Sequence, residues 1–119
     1  DLTIVSWSRQ MQACEQAAEQ LAAQGVQAEL IDLRTIWPWD KDTVLQSVAK
    51  TGRLLMVHEA IRVACFGAEI AATVAEETGA KVARLGAPRI PVGYAPTLEA
   101  EARVSAAHIS AAAQKLVAP

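Results

Sequence analysis

Two patterns of apolar residues alternate along the 119 residues. Short, nearly uninterrupted apolar runs occur at Leu2 to Trp7, Ala28 to Leu33, Arg53 to Val57 and Lys81 to Leu85. Runs this short predict strands buried on both faces, as in parallel sheets covered by helices. Between the runs, apolar residues return at three- and four-residue steps: Met11, Cys14, Ala18 and Leu21; then Val44, Leu45, Val48 and Ala49; then Phe66, Ile70 and Val74. That period predicts amphipathic helices. A last helix is predicted behind Ser105, with Ile109, Ala112, Ala113 and Leu116 on one face.

The punctuation agrees with this order. Gly25, Gly52 and Gly79 recur every 27 residues, each closing a helix and opening a strand. Asp40 is placed to cap the second helix, Asp42 suits its positive end, and Lys50 lies near its negative end. Three repeats of one helix-to-strand junction make a βαβαβαβ chain, and right-handed crossovers then put helices on both faces of a parallel sheet. Gly86 to Glu99 carries Pro88, Pro91 and Pro96 with no period and is expected to be an extended, ordered loop.

Composition narrows the functional classes. The chain is 52% apolar but only 4% aromatic, which favours close helix-on-sheet packing rather than a large aromatic core. A net charge of −2 with both signs scattered argues against a nucleic-acid-binding face. No window has the length of a membrane span and no signal peptide is visible. The chain enters an apolar strand directly after Asp1 and is expected to be cut from a longer protein. Cys14 and Cys65 lack metal-ligand spacing and lie beside no obvious base, so they are expected to be two buried thiols in a reducing cytoplasm.

Chemistry, if present, needs groups converging at the carboxyl edge of the sheet, where open α/β sheets hold ligands. Those groups are Ser6, Ser8, Arg9, Asp32, Arg34, His58 and Glu59. His58 and Glu59 are neighbours at a strand end and point to opposite faces, so adjacency does not make them an acid/base pair. His108 is expected on the solvated side of the last helix. No G-x-G-x-x-G or Walker pattern follows the first strand, so a nucleotide site lacks its phosphate cradle. Gly67 opens the third helix, and the amides there could hold an anion or simply allow tight packing. Trp37 and Trp39 flank Pro38 on one loop, and in so aromatic-poor a chain they are expected to pack against a neighbouring domain or subunit.

Four segments carry a family resemblance: IDLRTIWPWD (Ile31 to Asp40), KTGRLLMVHEA (Lys50 to Ala60), FGAEIAATVAEE (Phe66 to Glu77) and PVGYAPTLE (Pro91 to Glu99). In order and spacing they resemble the carboxy-terminal domain of the β-subunit of the decarboxylating component of 2-oxoacid dehydrogenase complexes. The pyruvate, branched-chain and acetoin types belong to that family, within the transketolase superfamily. The chain departs from the family pattern at Ala64 and Cys65, where two glycines are common, at Arg89, where an aspartate is common, and at Gly93, where a proline is common.

The resemblance implies a single transketolase C-terminal-like domain over residues 1–119. Its fold is a three-layer α/β/α with four parallel strands in the order second-first-third-fourth, without the family's usual antiparallel edge strand. It implies that thiamine diphosphate and magnesium bind other domains of the parent enzyme and that this domain is a non-catalytic scaffold. That scaffold pairs β-subunits, meets the α-subunit and docks the peripheral subunit-binding domain of the acyltransferase. Arg34, Trp37, Trp39, His58, Glu59, Arg89 and Tyr94 are then expected at partner contacts. Glu76 and Glu77 would stand in for an acidic docking residue that some members carry near Gly79. The expected compartment is the cytoplasm, or the mitochondrial matrix in a eukaryote. Two alternatives stay open: a stand-alone α/β small-molecule or enzyme domain using His58 and Glu59, and the equivalent domain of another transketolase-type enzyme, such as a deoxyxylulose-phosphate synthase or a 2-oxoacid ferredoxin oxidoreductase.

Overall fold

Four strands and five helices follow one another as the apolar runs dictate, and a computed structural model describes all of them, residues 1–119. The strands are β1 (Leu2–Ser6), β2 (Ala28–Asp32), β3 (Arg53–Ile61) and β4 (Lys81–Ala87). The helices are α1 (Gln10–Ala22), α2 (Lys41–Thr51), α3 (Phe66–Thr78), α4 (Pro96–Glu101) and α5 (Ala106–Val117). All pairings are parallel and the order is β2-β1-β3-β4, as the resemblance implies. β2 is one outer strand, paired only with β1.

Strand alternation divides the core into two layers. Leu2 and Ile4 of β1, with Leu55 and Val57 of β3, pack against Met11, Cys14, Ala17 and Leu21 of α1 and Ile109, Ala113 and Leu116 of α5. Val5, Leu54 and Met56 face the other way, onto Val44 and Val48 of α2 and Ile70 and Val74 of α3. Each large aliphatic side chain so buried stabilises the fold by about 1.5–3 kcal/mol relative to exposure, so both layers are needed to offset chain entropy.

Several local expectations shift by a residue or an element. Ala17, not Ala18, lies in the buried stripe of α1, and Ser47 replaces Ala49 in that of α2. Ser47 is a polar residue inside because it is fully engaged: its hydroxyl lies 2.8 Å from Thr3 Oγ1 and donates to Glu29 Oε2 at 2.6 Å, while Lys50 Nζ donates to Glu29 Oε1 at 2.9 Å. These bonds, Ser47 first, hold the Glu29 carboxyl below its ordinary range. Asp40 caps α2 as expected, accepting from Thr43 N at 3.1 Å, and Ser105 caps α5, where His108 closes a capping box on the solvated side. The proline-rich stretch is not all loop: β4 runs on to Ala87, and Pro96 opens the short helix α4. Gly25, Gly52 and Gly79 all have positive φ, and the last two are the left-handed caps of α2 and α3.

Candidate functional site

β3 reaches beyond the stretch its sequence predicts, and that extension shapes the carboxyl edge. The ladder with β4 is in register to Val57 and resumes at Ile61, so His58 to Ala60 form an irregularity in the pairing. The freed carbonyl of Ala60 accepts from His58 Nδ1 at 3.0 Å. A carbonyl only accepts, so Nδ1 carries the proton and Nε2 of the neutral ring is left as an acceptor.

The imidazole is enclosed completely, at 0% exposure. A Cβ on Gly67 of α3 would stand 2.5 Å from His58 Cδ2, and one on Gly86 of β4 would stand 2.5 Å from Cε1. Glycine is therefore required on both sides of the ring for reasons of space. Trp7, which follows β1, stacks on the imidazole at 5.7 Å between centroids with the planes 22° apart. Phe66 meets Trp7 edge-on at 6.4 Å, and Trp37 meets Phe66 edge-on at 6.4 Å. An aromatic file thus runs from the buried ring to Trp37, which is 75% exposed. Burial, helped by the positive charge of Arg84, holds the imidazole below its ordinary titration range and keeps it neutral.

Nε2 faces Cys65 Sγ at 2.8 Å. This corrects the expectation that neither cysteine lies beside a base: the two are seven positions apart in sequence, but the turn from β3 into α3 brings them together. Cys65 is the N-cap residue of α3 and is partly exposed, and its thiol also lies 3.6 Å from the Arg62 carbonyl. Cys14 is different, fully enclosed in the α1 layer, where burial pushes its thiol up to about 11.

Placing His58 inside also corrects its assignment to a partner contact, since a sealed side chain cannot touch another protein. Glu59 points to the opposite face and lines an open cleft of about 460 Å³, with Arg9, Gln10, Val92, Arg103 and Val104 among its walls. His58 is not part of that cleft, so the adjacent pair does not converge. Of the other predicted residues, Arg34 is exposed and ion-paired with Asp32, and Trp39 is half-buried on the α2 layer. Arg89 and Tyr94 are exposed beyond β4. All of these follow strand ends and share the carboxyl edge. Glu76 and Glu77 lie in the last turn of α3, at the opposite edge, with Glu77 paired to Lys41. Cys65, Gly86 and Trp7 are the site residues that sequence reasoning misses. The signal for the first was its place after the His-Glu strand end, and for the second a glycine inside an apolar strand, which marks close backbone approach.

Two buried polar atoms at this edge have no hydrogen-bond partner, Ser6 Oγ and Asp32 Oδ1, which are register partners on β1 and β2. Nowhere do three or more His, Cys, Asp or Glu side chains gather as metal ligands.

Comparison with known proteins gives this geometry a family. The family model described as transketolase, C-terminal domain, matches residues 1–109. The chain is 53% identical over 76 residues, 64% of its length, to the mitochondrial 2-oxoisovalerate dehydrogenase subunit beta 2 of Arabidopsis thaliana, covering 21% of that protein. It is 41% identical over 119 residues to the acetoin:2,6-dichlorophenolindophenol oxidoreductase subunit beta of Cupriavidus necator, covering 97% of this chain and 35% of that one. The chain thus spans about a third or less of these relatives. A solved split-gene transketolase, an inactive beta4 tetramer, superposes with a TM-score of 0.89 at 25% identity, over 98% of this chain and 39% of the other. Four parallel strands in the order 2-1-3-4, helices on both faces and a match over nearly the whole length lead to one conclusion: this chain belongs to the transketolase C-terminal domain family.

Proposed function

We propose that residues 1–119 form the carboxy-terminal domain of the β-subunit of a 2-oxoacid dehydrogenase decarboxylating component, and that the domain serves assembly rather than turnover. One observation carries this reading. The large apolar side chains left exposed are Ile36, Trp37, Ile61, Val63, Ile90, Val92, Tyr94 and Leu98, and every one lies on β3's end or in a segment that follows a strand end. In a parallel sheet those segments share one edge, so the exposed apolar surface gathers on one rim of the molecule. The unpartnered Ser6 Oγ and Asp32 Oδ1 lie at the same edge.

The partners proposed are a second β-subunit across that rim and the α-subunit beside it. The β-subunit names of the relatives and the beta4 assembly of the structural neighbour support this. Arg34, Trp37, Trp39, Glu59, Arg89 and Tyr94 are the contact residues on this reading. Acyltransferase docking falls to the opposite edge, at Glu76 and Glu77. Thiamine diphosphate and magnesium belong to other domains of the parent enzyme, and two unpaired thiols suit the cytoplasm or the mitochondrial matrix. No helix is long and apolar enough to cross a membrane. The rival reading, a small-molecule enzyme built on His58 and Glu59, loses its pair, because the two side chains open onto different faces.

The test is sedimentation of the full-length β-subunit with its α-subunit, unmodified and carrying Trp37→Glu with Val92→Glu. A charged rim should leave a folded β-subunit that no longer assembles. Unimpaired assembly of the doubly charged variant overturns the proposal.

A further inference from the structure

We infer that Cys65 is a site of oxidation by small hydroperoxides, with His58 as the base that takes its proton. Only atoms within one chain form this site, but Ile61 and Val63 beside it belong to the rim proposed to meet a partner, so it is tested on the full-length β-subunit alone, apart from the sedimentation test of assembly.

The pair has the parts of an activated nucleophile: a thiol, a base in direct contact, and a third group that orients the base. Sγ lies 2.8 Å from Nε2, and the Ala60 carbonyl, 3.0 Å from Nδ1, fixes which nitrogen is free to accept. The base cannot turn away. Gly67 and Gly86 leave only the thickness of a ring between α3 and β4, and Trp7 covers one face. The base is sealed while Cys65 is partly exposed, so a reagent comes to this residue from outside as the proton moves inward. Positive charge is also in place. The amide end of α3 begins at Cys65, and the Arg84 guanidinium is held near the pair by donating from Nη1 to the Arg62 carbonyl at 3.3 Å.

Burial makes an imidazolium costly here, so the ring rests neutral with Nε2 facing Sγ as an acceptor. Proton transfer therefore accompanies attack. Sulfur bonds to one peroxide oxygen and the O–O bond breaks as Nε2 takes the thiol proton; the departing hydroxide, on the outer side of sulfur, is protonated by solvent, and the imidazolium later returns its proton to solvent. Hydrogen peroxide thus yields cysteine sulfenic acid and water, sulfur being oxidised and the peroxide reduced. Cys14 cannot resolve the product into a disulfide, since it is enclosed in the core layer on the other face of the sheet.

The experiment treats the full-length protein with hydrogen peroxide in the presence of dimedone and reads sulfenic-acid adducts by mass spectrometry, native and in urea. Folding should speed labelling of Cys65 at least ~100-fold over the unfolded chain, the low end of what a positioned base supplies, and should suppress labelling of Cys14. His58→Gln should lower the native Cys65 rate by a similar factor while Cys14 stays protected, which reports that the variant is folded. If His58→Gln does not fold, the native-to-urea ratio of the unmodified protein decides alone. A native Cys65 rate no higher than the unfolded rate, or a folded His58→Gln protein as reactive as the parent, overturns the inference.

Discussion

Gly67 and Gly86 stand on opposite sides of one imidazole, each close enough that a methyl group in its place would come within 2.5 Å of the His58 ring. Helix α3 and strand β4 are held at the width of a histidine. Gly67→Ala should lower unfolding free energy by about 1–3 kcal/mol through overpacking. The atoms nearest the new methyl are side-chain atoms of His58 and Met56, so the loss should shrink when His58→Ala is made as well. Gly86→Ala should recover less in that background, because the Ala60 carbonyl is 2.8 Å from the same position and is backbone. Urea denaturation of the three single and two double variants checks both statements.

Ala64 occupies left-handed backbone at φ 55, in the turn that delivers Cys65 to His58. That conformation suits glycine, because a Cβ is strained in that region. Ala64→Gly should therefore stabilise the fold by up to about 1 kcal/mol, with relief of strain partly offset by a more flexible unfolded chain. Ala64→Val should destabilise it. Thermal melts of the two variants should shift in opposite directions.

His58 gives the fold an acid-side weakness. Its folded titration point lies below the ordinary 6.5, so between the two values the unfolded chain binds the extra proton. The stability contribution of the neutral ring is whole above that ordinary value and is lost as pH falls through the folded one. The charged group facing it is Arg84 on β4, which pushes the same way; Trp7, Gly67 and Met56 bring no charge. Urea midpoints should drop between pH 7.5 and pH 5.5 in the unmodified protein. They should drop less in His58→Gln, and equal slopes would rule out this origin.

Tyr94 and Val92 are 103% and 69% exposed and hold nothing in the core. Tyr94→Ala and Val92→Ser should each leave unfolding free energy within about 0.5 kcal/mol. On the assembly reading the same substitutions weaken association of the full-length β-subunit. Calorimetric melting of the domain, set beside sedimentation of the assembled protein, separates the two effects.

The layered fold is legible because its signals are periodic and local. Apolar runs of strand length, a helix step between them and glycines at a constant interval already specify a parallel sheet, and Asp40 and Ser105 announce their caps. What stays hidden depends on contacts between distant segments. Ser47 reads as a surface serine until Thr3 and Glu29 are brought to it. His58 reads as a rim residue until the irregularity between β3 and β4 turns it inward and two glycines make room. Cys65 reads as an isolated thiol because no periodicity encodes a contact made across a turn. Pro96 reads as part of a loop, although proline is as much at home in a first helical turn.

The turns at Gly25, Gly52 and Gly79 carry a practical consequence. A Cβ on any of them would meet nothing within 4 Å, and all three connect helix ends to strand beginnings, so they lie at the blunt end of the molecule, far from the rim. That end is a natural attachment point. A fluorophore or affinity handle carried beside the Gln24–Gly25 turn, next to β2 and across the sheet from Glu76 and Glu77 at the β4 side, would report encounters of the rim without taking part in them.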